Sequence, residues 1–140
     1  MSEERGFLFI RPNGESGFVR VSGRGLALGL LQGLVGGHIE TVPSCLGKRW
    51  MDEDNVKAVL VVHEEGKLIG LSENLTETLL LDDLIHDVLV GTVLLVGEGR
   101  NEDGEWDLIS LSRDVCARIH AAFTESEEPM PEEKGNSTDA

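Results

Sequence analysis

Apolar residues run along this chain in short blocks of two kinds, alternating and continuous, separated by glycine-bearing turns. The block at 6–11 (GFLFIR) predicts a strand, Pro12-Asn13-Gly14 a turn, and 17–21 (GFVRV) a second strand, together an N-terminal hairpin. Ser22 then suits the N-cap of a helix over 25–35, with Leu26, Leu30 and Leu34 on one stripe and Gly25, Gly29 and Gly33 on another. An interior glycine costs a helix about 1 kcal/mol against alanine. The expectation is therefore that the glycine stripe lets this helix lie close on a sheet. Gly36-Gly37 is its stop signal.

Beyond the stop, residues 38–42 alternate as a strand ending at Pro43, and 43–56 read as a polar loop. The run at 57–62 (KAVLVV) is β-branched and unbroken, the mark of a strand buried on both faces. Glu64-Glu65-Gly66 reads as a turn into 67–71 as a short hairpin partner. Ser72 or Asn74 would cap a helix over 75–86, packed through Leu75, Leu79 and Leu80 or Leu84. Residues 87–96 give another buried strand with a glycine bend at Gly91, and Asn101 to Gly104 a hairpin turn into a strand at 106–111. Ser112 caps a last helix, with Asp114 in its first turn and Val115, Ile119 and Ala122 or Phe123 inward. Strands joined by tight turns predict an α+β fold: one small domain over 1–123, a mainly antiparallel sheet and two or three short helices. Residues 124–140, rich in Glu, Ser, Pro and Gly, predict a disordered acidic tail.

Charge changes the list of functions. The chain has 140 residues with 26 acids against 12 bases, a formal charge of −14. Residues 1–49 carry +2, residues 50–123 carry −11, and the tail −5. Since Lys and Arg supply affinity for the phosphate backbone, direct nucleic-acid binding is not expected. No apolar run is long enough for a membrane span, and the acidic start lacks the form of a signal peptide. Two cysteines, Cys45 and Cys116, build no disulfide framework, so a reducing cytosol is the expected compartment.

No residue pattern carries catalysis, and none requires a cofactor or a metal. His63-Glu64-Glu65 opens like a zinc-protease motif, but Lys67 stands where a second histidine would. Asp82, Asp83, His86 and Asp87 gather carboxylates and an imidazole without a closed ligand set. Cys45 lies near Lys48 and Arg49, a setting that lowers a thiol pKa, yet no base is placed beside it; Cys116 reads as core. Gly36 and Gly37 follow a helix where a phosphate loop would precede one, so they read as a C-cap.

Three stretches together resemble a known family. They are 31–40 (LQGLVGGHIE), 63–71 (HEEGKLIGL) with Asn74, and 86–97 (HDVLVGTVLLVG). In that order and spacing they are similar to a domain-of-unknown-function family of phages, plasmids and other bacterial mobile elements, over about 6–112. The resemblance implies an accessory protein of a mobile element. It marks Gly36, Gly37, Glu40, Asn74 and Gly91 as binding or family-motif positions to test. The alternative is that the glycines shape turns and Asn74 caps a helix.

The expectation is a non-enzymatic protein that binds and modulates a host or phage protein, one with a basic surface if this chain imitates DNA. A DNA mimic would array its carboxylates on one face. The alternative is a small-molecule binder such as a nucleotide-signal sponge, its anion site drawn from Arg24, Lys48 and Arg49, with Arg11 and Arg20 nearby in sequence. The glycine-striped helix would serve a homo-oligomer as well as a core.

Overall fold

The computed structural model describes residues 4–47, 51, 55–71 and 90–127. Its elements run β1 (Arg5–Ile10), β2 (Ser16–Val21), α1 (Leu28–Val35), β3 (Ile39–Gly47), β4 (Lys57–His63), β5 (Val93–Arg100), β6 (Trp106–Ile109), β7 (Leu111–Ser112) and α2 (Arg113–Glu127). All seven strands join one antiparallel sheet in the order β2-β1-β5-β4-β3. Among the described residues β2 and β3 are its outer edges. The fold is a small single α+β domain.

The middle strands explain the unbroken apolar runs. Leu60 pairs with Leu95 and Val61 with Leu94, and all four are fully buried. Alternate residues face opposite layers. Ala58, Leu60, Val62, Val93 and Leu95 pack with Val115, Cys116 and Ile119 of α2. Val59, Val61, Leu94 and Val96 pack with Leu31 and Val35 of α1. A strand with a helix layer on each side has no polar face to show, which is why its sequence does not alternate.

β1 and β5 pair only through Leu8↔Leu95, Phe9↔Leu94 and Ile10↔Val93. Beyond that point the chain from Trp106 to Ser112 takes the gap. β6 pairs with the far end of β5, through Gly97↔Ile109 to Arg100↔Trp106, and β7 pairs with the start of β1. Ser110 at the break is fully buried and binds both sides. Its hydroxyl donates to the Gly23 carbonyl at 2.7 Å and accepts from Arg5 Nε at 2.9 Å.

Several expectations need correction. Ser22 does not cap α1, whose N-cap is Ala27 without a side-chain bond. Residues 23–26 are drawn into the sheet instead: Gly25 bridges Ile109, and Leu26 N–H donates to the Leu108 carbonyl. α1 buries Leu31 and Val35, while Leu30 is exposed. Its glycines face away from the sheet, since a Cβ added at Gly29 or Gly33 would meet nothing within 4 Å. β3 continues through Pro43, which an edge strand tolerates, and shifts register between Pro43 and Gly47. Residues 67–71 form no strand, because β3 and β5 already occupy both edges of β4. Of the strand expected over 87–96, residues 87–89 lie outside the described residues; β5 begins at Val93 and runs on through Gly97-Glu98-Gly99 to Arg100. α2 runs past Phe123 to Glu127, no helix breaker intervening before Pro129. Ser112 caps it as expected, accepting from Val115 N–H at 3.1 Å. The helix over 75–86 and the remainder of the tail lie outside the described residues.

Candidate functional site

The three motif stretches meet at the end of β4. Gly36, at a φ of 91°, is the left-handed C-cap of α1, and its N–H and that of Gly37 both donate to the Gln32 carbonyl. Gly37 lies against the His63 ring so closely that a Cβ there would collide with the imidazole. Glu64 N–H donates to the His38 carbonyl at 2.8 Å, tying the first motif to the second. His63 Nδ1 accepts from Glu65 N–H at 3.0 Å, so the neutral ring carries its proton on Nε2.

The second motif is a compact turn rather than a strand. Ile69 N–H donates to the Glu65 carbonyl, Gly70 N–H to Lys67, and Leu71 N–H to Gly66. Leu71 then fills the space between the second motif and the third. A Cβ on Gly91 would stand 2.7 Å from Leu71 Cδ1, and one on Gly66 would stand 2.8 Å from Val90 Cγ2 and 3.3 Å from Leu71 Cδ1. Around this corner Glu40, Glu64, Glu65 and Lys67 are exposed. Leu68 is 85% exposed and Ile69 58%. Gly36, Gly37, Glu40 and Gly91 thus share one region, where the glycines serve turns and close approaches. Asn74 lies outside the described residues.

The other sequence candidates disperse. Arg24 is tied to the β5–β6 hairpin: its Nε donates to the Arg100 carbonyl at 3.0 Å, and its N–H donates to Glu102 Oε2 at 2.7 Å. Gly25 N–H donates to Glu102 Oε1 at 2.9 Å. These backbone donors of Gly25 and Arg24 hold the Glu102 carboxyl below its ordinary value of 4.5. Lys48 and Arg49 lie outside the described residues, as do Asp82, Asp83, His86 and Asp87. Arg11 bonds Glu15 at 2.6 Å, and Arg20 and Arg113 both pair with Glu4. Cys116 is buried, and burial pushes its thiol up to about 12, which removes it as a nucleophile at neutral pH. Cys45 lies within β3.

Sequence reasoning missed a groove across the open ends of β3 to β6. Lys57 pairs with Glu98, and Arg100 with Trp106, so all four side chains stand on the sheet face that α1 packs against further along. Two hollows meet at Lys57. One, of about 230 Å³, is lined by Thr41, Pro43, Lys57 and Glu98 among others. The other, of about 450 Å³, is lined by Asn55, Lys57, Arg100 and Trp106. Lys57 Nζ stands 3.4 Å from Glu98 Oε1, and the Arg100 guanidinium lies 5.9 Å from the centre of the Trp106 ring. Trp106 is 53% exposed. The available signal was an arginine and a tryptophan flanking an Asn-to-Gly hairpin turn at mirrored positions, which antiparallel pairing places side by side.

The charge of the described residues is also informative. They include thirteen acids and nine bases, a net of −4 against −14 for the whole chain. Glu4, Glu15, Glu98 and Glu102 are engaged by arginine, lysine or backbone N–H groups. The described surface therefore presents mixed charge.

No curated protein and no solved structure matches this chain. One family model does, that of DUF3846, a domain of unknown function, over residues 5–124. That match takes in the whole sheet, both helix layers and the corner where the three motifs meet, and the chain accordingly belongs to the DUF3846 family of unknown function.

Proposed function

We propose that this is a non-enzymatic accessory protein of a phage or other bacterial mobile element, acting in the host cytoplasm by docking on a basic host or phage protein. The observation that carries the reading is the corner at the end of β4. There the chain spends three glycine-dependent contacts on holding a turn whose tip presents Leu68 and Ile69 to solvent. Exposed aliphatic side chains on a braced turn, with Glu40, Glu64 and Glu65 around them, form an apolar anchor inside an acidic rim. The excess acidity of 52–54, 72–89 and 128–140 adds long-range attraction toward a basic partner. Imitation of DNA by a rigid carboxylate array draws no support from the described surface, where acids and bases are interspersed.

The test is site-specific photocrosslinking in host cells with the probe at position 68, against a probe at position 103 in the distant hairpin. The reading expects one basic protein crosslinked at 68 and not at 103. Leu68→Asp should weaken that partner at least tenfold in purified form, and added salt should slow its association. Equal crosslinking at both positions, or undiminished binding by Leu68→Asp, would refute it. No helix among the described residues is long and apolar enough to cross a membrane.

A further inference from the structure

The geometry points to the Lys57–Arg100–Trp106 groove as a binding site for a free nucleotide, its base stacked on the Trp106 ring and its phosphate held by Arg100 and Lys57. The site is separate from the docking corner and shares no residue with it.

The chemistry is carried by four side chains. The indole of Trp106 is more than half exposed and makes no hydrogen bond among the described residues, so with Arg100 over one face its other face and its Nε1–H remain for a ligand. An aromatic face stacks on any base. Arg100 lies over this ring and donates Nη1 to the Gly104 carbonyl at 3.0 Å, which fixes the guanidinium while leaving its other N–H groups for a phosphate oxygen. Lys57, from the same hollow, adds a second cation. Asn55, at a φ of 64°, borders the space with an amide that can donate to and accept from a base edge. A hollow of about 450 Å³ is in the range that holds small ligands.

Among the described residues that line the two hollows, one carboxylate opposes an anion. Glu98 stands on the same sheet face and pairs with Lys57. It selects against polyanions and limits affinity, and it supplies a diagnostic: its neutralisation should strengthen binding. Arg24, an expected anion ligand, contributes by position, since its Nε bond to the Arg100 carbonyl anchors the strand that carries Arg100.

The experiment is calorimetry and equilibrium dialysis on the full chain at low salt. The probes are nucleoside mono-, di- and triphosphates, the matching nucleosides, inorganic phosphate, and a ten-nucleotide single strand. The expected result is binding of nucleotides in preference to nucleosides and to phosphate alone. Trp106→Ala and Arg100→Ala should each weaken it about tenfold. Glu98→Gln should tighten it roughly threefold, and Leu68→Asp should leave it unchanged. All four positions are partly or largely exposed, so the variants should keep the melting temperature of the parent within a few degrees. Four results would overturn the inference: no nucleotide bound at millimolar concentration; binding indifferent to Trp106→Ala; phosphate bound as well as nucleotide; or the single strand bound more tightly than the mononucleotide. Failure here with successful crosslinking at position 68 would leave the docking reading intact, and the reverse holds equally.

Discussion

Replacing Ser110 by alanine should destabilise the fold by about 2 kcal/mol, and the figure follows from its four hydrogen bonds. The Ser110 N–H donates to the Arg24 carbonyl at 2.7 Å, and its carbonyl accepts from Arg5 Nη2 at 2.7 Å. Alanine keeps both. It loses the hydroxyl bond to the Gly23 carbonyl and the bond accepted from Arg5 Nε. A neutral bond contributes about 1 kcal/mol, and one to a charged partner about 1.5–3 kcal/mol. The Gly23 bend is exposed and Arg5 half-buried, so both orphaned partners recover some hydration and the sum falls toward its lower end. For a urea slope of about 1–3 kcal/mol/M, the unfolding midpoint should drop by about 1 M with the slope unchanged. A double-mutant cycle with Arg5→Met should show coupling of about 1 kcal/mol. A midpoint shift below about 0.2 M, or strictly additive single variants, would refute the argument that this hydroxyl fastens β6–β7 between β1 and β5.

Gly29→Ala with Gly33→Ala should raise stability by about 1 kcal/mol per site, because both face open space in α1; a drop in melting temperature would contradict the outward orientation. Gly37→Ala should lower stability while His63→Ala in the same background restores part of the loss, read by urea melts; absence of rescue would break the link between the first two motifs. Glu102 has a folded pKa below its unfolded one, so its contribution is present above about pH 4.5 and is lost as pH falls through the folded value. Glu102→Gln should therefore be less stable than the parent at pH 7 and converge with it in acid; a gap that persists at pH 2 would reject the assignment. Cys116 should resist alkylation in the native protein and react only in denaturant, as peptide mapping would show; rapid native labelling would contradict its burial.

Strand existence was legible wherever the chain had to be apolar on both faces: β4 and the core of β5 stand where continuous Val-Leu runs place them. The N-terminal flank of α2 was legible because Ser112 and Asp114 obey local capping chemistry, whereas its end at Glu127 was not. What could not be read was any choice made by distant residues. Ser22 is a good cap by composition, yet Glu102 and Ile109 claim residues 23–26 for the sheet. Residues 67–71 read as a hairpin partner because the sequence cannot show that both edges of β4 are taken. The glycine stripe of α1 has helical spacing, but spacing alone does not say which side faces water. Of the candidate positions, Gly36, Gly37, Glu40 and Gly91 were all visible through motifs, but that Gly91 lies beside the others was not, since it depends on Leu71 filling the space between. Lys57 and Trp106, on different strands with no motif between them, required the sheet's register to be seen together.

The wedge of β6 and β7 between β1 and β5 also has a consequence for biosynthesis. Arg5 and Ser110 are 105 residues apart in sequence, and among the described residues the inner edge of β1 finds its partners in β5 and β7. Loop closure over such a span comes late, after the local hairpins have formed. A ribosome must therefore release nearly all of the folded region before the first strand can take its final place. Until then the β1–β2 hairpin exposes Leu8 and Ile10 without their partners Leu95 and Val93. The nascent chain passes through a stage in which one β-edge is open and apolar, and in that interval chaperone capture competes with completion of the sheet.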